Sequence, residues 1–126
     1  MKRFLAPVLL LTGLMLFSIW NSLYFSRETA RWSAQLDAAE ALSLSNRWED
    51  AAAVLNASYQ DWAKHQTWLH IATRHDAIDD AEAMYHRAAA FARMQEPSEF
   101  QAELADLQAQ LRLLAEMERL DIKNIL

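Results

Sequence analysis

The sequence predicts an all-α protein: an N-terminal transmembrane helix followed by a small antiparallel helical bundle. Three observations carry this. Gly13 is the only glycine in 126 residues, and Pro7 and Pro97 are the only prolines. Tight hairpins and phosphate-cradling loops need residues that tolerate positive φ or close backbone approach, so sheets, dinucleotide folds and Walker-type sites are excluded. Ala, Leu, Glu, Gln, Arg and Met, which lose least on entering a helix, fill the chain instead. The third observation is patterning: one uncharged apolar run at the start, then apolar residues at alternating spacings of three and four.

The first element is the anchor. Met1-Lys2-Arg3 precedes a stretch from Phe4 to Ser26 without a charge. At 1.5 Å per residue it is long enough to cross a hydrocarbon core of about 30 Å. Trp20, Tyr24 and Phe25 cluster at its far end, where aromatic rings favour the interface, and Pro7 lies near the start, where its ring disrupts little. The competing reading is a cleaved signal peptide, but Trp20, Tyr24, Arg27 and Glu28 interrupt every candidate cleavage site. Lys2 and Arg3 before the run, against Arg27 with Glu28 after it, put the N terminus in the cytoplasm. Residues 1–26 are therefore expected to be the anchor, embedded through residues 4–26, and residues 27–126 a helical domain outside the cytoplasm.

All 17 acidic residues follow the anchor, but two of the 12 basic ones precede it, so the rest of the chain is more acidic than the overall −5. No run of Lys or Arg exists. Nucleic-acid binding and docking on anionic lipid both need such positive charge and are not expected. With no cysteine, thiol nucleophiles, thiolate metal sites, disulfides and lipidated-cysteine anchors are excluded.

The soluble helices follow in order. From Arg27 to Leu44 nothing breaks a helix, and Trp32, Leu36 and Ala39 mark an apolar face. Ser43 to Asn46 is the first turn signal, with Asn46 as the expected N-cap of the next helix. Trp48, Ala52, Leu55, Tyr59, Trp62, Gln66 and Leu69 then form a seam. It dies at Thr73 and Asp76, while Trp68, Ile71, His75, Ile78, Glu82, Tyr85, Ala89 and Ala92 form another in a different phase. Either the helix breaks between Lys64 and Thr67, or one long helix turns two faces to two neighbours. Glu96-Pro97-Ser98 ends this region, and Ser98 with Gln101 has capping-box spacing. Phe100, Leu104, Leu107, Leu111 and Leu114 line the last helix, with Leu113, Met117 and Leu120 widening the stripe. Its apolar end, Leu120 to Leu126, is expected to pack back or meet a partner.

One strip has the residue types of a site. His75, Asp79, Glu82 and His86 fall within an arc of roughly 60° on a helix. His75 with Asp79, and Glu82 with His86, are i,i+4 pairs that suit an ion or a polar ligand. The strip spans about 16 Å, too long for one metal, and the Glu-x-x-His spacing of bundle di-iron sites is missing. Its residues are expected to bond along their own helix and across to a neighbour, fixing register. No metal or other cofactor is predicted. His65, His70 and His75 point about 140° apart in succession and form no site together. Trp48, Trp62 and Trp68 read as core anchors, and Asn56-x-Ser58 lies inside a helix, which argues against a glycosylation acceptor.

Several segments in a fixed order complete the pattern: "WEDAAAVL" (Trp48–Leu55), Trp62, Trp68-Leu69, "HDAID" with Glu82, "AELADL" (Ala102–Leu107), Glu118 and the closing "NIL". With the short anchor, this resembles domain-of-unknown-function family 4363, small single-span proteins of Gram-positive bacteria. The resemblance implies architecture and location, and that His75, Asp76, Asp79 and Glu82 belong to the family pattern; it brings no activity. The chain is richer in Ala than Lys- and Glu-rich members. Ala39–Ser58 is also similar to the turn of a tetratricopeptide repeat, but no second copy follows about 34 residues on. The functional expectation is a membrane-anchored, non-catalytic interaction or scaffold module with a membrane or extracytoplasmic protein partner. The alternative is an extracytoplasmic ligand- or metal-binding sensor domain using the His75/Asp79/Glu82/His86 strip. No nucleophile–base pair, glycine loop or cofactor fingerprint points to an enzyme.

Overall fold

The structure is a computed structural model. It describes the backbone of residues 2–72 and 75–125, and the side chains of residues 3–20, 22–24, 26–65 and 76–117. The described residues form four helices, α1 (Lys2–Leu44), α2 (Trp48–Ala72), α3 (His75–Arg93) and α4 (Pro97–Ile125), with short turns between them. Each packs on its neighbours in the order α1–α2–α3–α4 and α4 closes on α1. Paired residues show that every neighbouring pair is antiparallel: Trp32 meets Asp61, Ser58 meets Tyr85, and Gln110 meets Ala77. This is the up-down-up-down bundle that short connections favour.

α1 carries two environments on one unbroken helix. It passes through Pro7 without interruption. Its first part is exposed and apolar, with Phe4, Leu10, Leu16 and Trp20 each more than 60% accessible. Phe17, Trp20 and Tyr24 stack in succession, their centroids 6.2 and 5.8 Å apart. From Thr29 onward the same helix turns Trp32, Leu36, Ala39 and Ser43 into the core. One helix is thus long and apolar enough to cross a membrane, and none of its apolar window is buried by the bundle.

Both described turns are Schellman closures made without glycine. Asn46 and Gln95 adopt φ of 63° and 54°. At the first, the N–H of Arg47 donates to Leu42 O (2.9 Å) and that of Asn46 to Ser43 O (3.0 Å). At the second, Glu96 donates to Phe91 O (3.0 Å) and Gln95 to Ala92 O (3.2 Å). These bonds satisfy the last carbonyls of α1 and α3. Two capping expectations are corrected here. Asn46 ends α1 rather than starting α2, and its Oδ1 accepts the Trp48 indole N–H at 3.2 Å. Ser98 lies inside the first turn of α4, because Glu96 O already accepts from Phe100 N–H and Pro97 occupies the first helical position, where its missing donor costs nothing.

The left-handed conformation costs an L-residue about 1–2 kcal/mol, less for Asn. Gln95→Gly is therefore expected to stabilise the fold by about 0.5–1 kcal/mol in urea unfolding. Asn46→Gly is expected to gain nothing, because it gives up the bond to Trp48.

The core combines the expected stripe of α4 with shifted stripes on α2 and α3. Phe100, Leu104, Leu107, Leu111 and Leu114 are all buried, as predicted, whereas Leu113 is 49% exposed and does not widen the stripe. On α2 the buried residues are Trp48, Ala51, Leu55, Ser58 and Trp62; on α3 they are Ile78, Ala81, Tyr85, Ala88 and Ala92. Ala52, Tyr59, Glu82 and Ala89, expected at seam positions, sit at the margins instead. Small residues at 51, 58, 81 and 88 let α2 and α3 approach closely, and the margins keep Tyr59 and Glu82 where their polar ends find partners.

The boundary between the two seams is also corrected. α2 continues past Lys64–Thr67 to Ala72, and a separate α3 starts at His75. Residues 73 and 74, and the side chains of Gln66, Trp68, Leu69, His70, Ile71, His75, Glu118, Leu120 and the C-terminal tail, lie outside the described residues.

Candidate functional site

Three of the four strip residues are described, and two of them come together. Asp79 is exposed and bonds to no other described side chain. Glu82 is half-buried at the α2–α3 margin, where Tyr59 donates its hydroxyl to Glu82 Oε1 at 3.0 Å. His86 Nε2 lies 3.7 Å from the same oxygen, and its ring sits 5.2 Å from that of Tyr59. Tyr59, Glu82 and His86 thus form a cluster across two helices, with Asp79 left out. Among the described residues, no group of three His, Asp or Glu side chains is placed to hold a metal ion.

The cluster borders a shallow cavity of about 190 Å³, walled by Asn56, Tyr59, His86 and Arg93 over a floor of Leu55 and Ala89. Apolar floor and polar rim suit a side chain or small ligand contacted through hydrogen bonds. Behind it Tyr85 is buried, and its hydroxyl shares a 2.9 Å hydrogen bond with Ser58. Burial pushes the Tyr85 phenol up to about 12; the Asp61 carboxylate adds to this and the Ser58 bond opposes it. Tyr59 is raised as well, by burial and by the bond to Glu82.

An unfolded phenol ionises near 10. Stability from the neutral Tyr85 is therefore complete below pH ~10 and is lost as pH rises towards 12. In an alkaline titration followed by phenolate absorbance, the last tyrosine step is expected near pH 12 and to vanish in Tyr85→Phe.

A second polar network, between α1 and α2, was not foreseen. Arg31 pairs with Glu28 on its own helix and with Asp61 across the interface at 2.8 Å. Asp61 Oδ2 also accepts the Trp32 indole N–H at 3.2 Å. One turn on, the His65 ring donates from Nδ1 to Asp61 O at 2.9 Å, and its Nε2 shares a hydrogen bond with Tyr24 Oη at 3.0 Å. Glu28 lies 3.7 Å from that nitrogen. His65 thus works with α1. Its only sequence signal is the i,i+4 pair Asp61/His65 facing Glu28/Trp32, which becomes visible once the α1–α2 register is known.

Further polar clips fix the other interfaces. Gln108 Nε2 donates to Ser33 O (3.2 Å) and Asp37 Oδ1 (2.8 Å), and Arg87 pairs with Glu103 at 2.6 Å. A third polar feature, between α1 and α4, is a cavity of about 300 Å³ bounded by Ser22, Ser26, Thr29, Ser33, Arg112 and Glu116.

No curated protein and no solved structure matches the chain. The family described as "Domain of unknown function (DUF4363)" matches residues 19–125, from the last turns of the apolar run to the end of α4. That span includes both polar networks, the second part of α1 and all of α2, α3 and α4, and the chain belongs to the DUF4363 family.

Proposed function

We propose that the chain is a membrane-anchored, non-catalytic helical interaction module. α1 crosses the bilayer through residues 4–26 with its N terminus in the cytoplasm, and the bundle stands outside and holds another membrane or extracytoplasmic protein. The observation that carries this reading is the continuity of α1, an exposed apolar rod that becomes a core helix without a break. Such a rod fixes the bundle at a set height and orientation above the membrane, which is what a scaffold needs. The rim of Asn56, Tyr59, His86 and Arg93 is the partner-facing side on this reading, because it combines an apolar floor with accessible polar groups.

A photoreactive residue at Asn56 or Arg93 in the full chain, activated in intact cells, is expected to give one reproducible crosslinked protein. The same residue at Ala105, on the exposed side of α4, is expected to give none. A partnerless monomer without crosslinks from either rim position contradicts the reading.

The convergence of Tyr59, Glu82 and His86 supports a second reading, an extracytoplasmic ligand sensor. Its metal form predicts heat on zinc titration of the full chain, abolished in His86→Ala with helix content intact; absence of heat removes it.

A further inference from the structure

The bundle reaches further down α1 than the uncharged run suggests. From Arg3 to Phe17 every residue of α1 is exposed, Ala6, Thr12 and Gly13 included, and Ser18 is the first that is half-buried. Ser22 is half-buried too, while Ile19, Trp20 and Leu23 stay exposed on the other sides of the helix. One side of α1 is therefore covered from Ser18 onward, well before the run ends at Ser26.

Register gives the same level from two helices. α4 lies antiparallel to α1 with Gln108 against Ser33 and Asp37, and Arg112 and Glu116 border one cavity with Ser22 and Ser26. At equal rise per residue, the end of α4 at Ile125 falls level with Ser18. α2 lies antiparallel on the other flank, with Asp61 against Trp32 and His65 against Glu28. Its end at Ala72 falls level with Asn21. The base of the bundle thus stands at Ser18–Asn21.

That level leaves no room for a stalk. Phe4 to Trp20, the part of α1 up to the base, is about 25 Å long, against about 30 Å for a hydrocarbon core. A run this short spans only with its ends drawn to the two interfaces and the bilayer thinned to match. Raising the bundle clear of the surface would pull the exposed Phe17 and Trp20 into water. Phe17, Trp20 and Tyr24 instead stack across the level of the base, and aromatic rings favour the headgroup region. Lowering the bundle would carry Glu118, Arg119, Asp121 and Lys123 of α4, level with residues 20–25 of α1, into hydrocarbon, where charge is costly.

We infer that the base of the bundle is a membrane contact: the ends of α2 and α4 sit in the phospholipid headgroup layer, and Phe4–Trp20 alone crosses the hydrocarbon. The inference rests on the anchored reading above and narrows it, since residues 21–26 then pass through headgroups beside the bundle. The end of α4 brings two acids and two bases, so it suits headgroups that carry both charges, such as phosphocholine, rather than an anionic surface.

The test uses the full chain in phosphatidylcholine vesicles. The chain has no cysteine, so Lys123→Cys, Leu23→Cys and Leu44→Cys each take one fluorophore, at the base, on exposed α1 beside it and at the far end of the bundle. Quenching is compared between lipids with a nitroxide on the headgroup and lipids with one at the centre of the acyl chain. Lys123→Cys and Leu23→Cys are expected to lose fluorescence to the headgroup nitroxide more than to the chain-centre one, and Leu44→Cys to neither. Quenching of Lys123→Cys no greater than that of Leu44→Cys, or stronger quenching of either base label from the chain centre, overturns the inference. Replacing part of the lipid with phosphatidylglycerol is expected to leave the pattern unchanged, and headgroup quenching of Lys123→Cys that appears only with it overturns the choice of headgroup. Flotation of the same samples separates the failures. A chain that floats without the Lys123→Cys signal refutes the base contact alone, and one that does not float refutes the anchor and the contact with it.

Discussion

Leu11→Arg combined with Met15→Arg is expected to release the full chain from membranes. Both positions are exposed on the apolar part of α1 and lie near the middle of the uncharged run. Each Arg at the centre of a spanning helix costs about 2.5–3.5 kcal/mol on insertion scales, so the pair removes about 5–7 kcal/mol. Neither residue touches the core, so the bundle should keep its helix content and its unfolding transition. Vesicle flotation and circular dichroism on one sample check both halves. A double variant that still floats would mean that the chain is held by the bundle and not by α1.

Trp62→Ala is expected to cost about 3–5 kcal/mol, the range for emptying a large aromatic site. Trp62 is fully buried, with its ring 5.4 Å from that of Tyr85 and 6.2 Å from that of Tyr59. A domain of this size has a total stability of about 5–15 kcal/mol, so this single change removes a large share. Trp62→Phe is expected to be far milder. The indole N–H is buried and finds no acceptor among the described residues. Removing that donor recovers about 1–3 kcal/mol of desolvation cost and offsets the lost volume. Urea unfolding compares the two variants; both remove the donor, so their difference reads the volume that Phe still fills, and a Trp62→Phe loss as large as that of Trp62→Ala contradicts the prediction.

The helical class, the apolar run and the α4 stripe were legible because each rests on composition or on one unambiguous spacing. The stripes of α2 and α3 were half legible. Positions 48/52/55/59/62 and 48/51/55/58/62 both repeat at three and four, and size favoured Tyr59 over Ser58. The structure chooses the smaller residues, because close packing of α2 on α3 needs them and the Tyr59 hydroxyl needs Glu82 at the margin. The same choice moves Glu82 out of the seam, so the costly buried carboxylate of the sequence pattern does not arise. The turns were misassigned for a local reason: Asn serves both as an N-cap and as a left-handed C-terminal residue, and only the backbone bonds of Arg47 and Asn46 distinguish the two. The His65 network was invisible because Glu28 and His65 are far apart in sequence and meet through register alone.

Tyr24, Glu28, Arg31, Asp61 and His65 tie α2 to α1 just where the apolar run ends. The bundle is thereby clamped to the apolar part of α1 rather than joined to it through a flexible linker.

The absence of cysteine makes the central claim, an α1 anchor holding the bundle outside the cytoplasm, directly measurable. Single substitutions Lys2→Cys and Leu44→Cys place one thiol before the apolar run and one at the far end of the bundle, where Leu44 is 66% exposed. In intact cells treated with a membrane-impermeant maleimide, Leu44→Cys is expected to be labelled and Lys2→Cys to be labelled only after the membrane is permeabilised. Labelling of Lys2→Cys with protection of Leu44→Cys, or labelling of both only after permeabilisation, would contradict it.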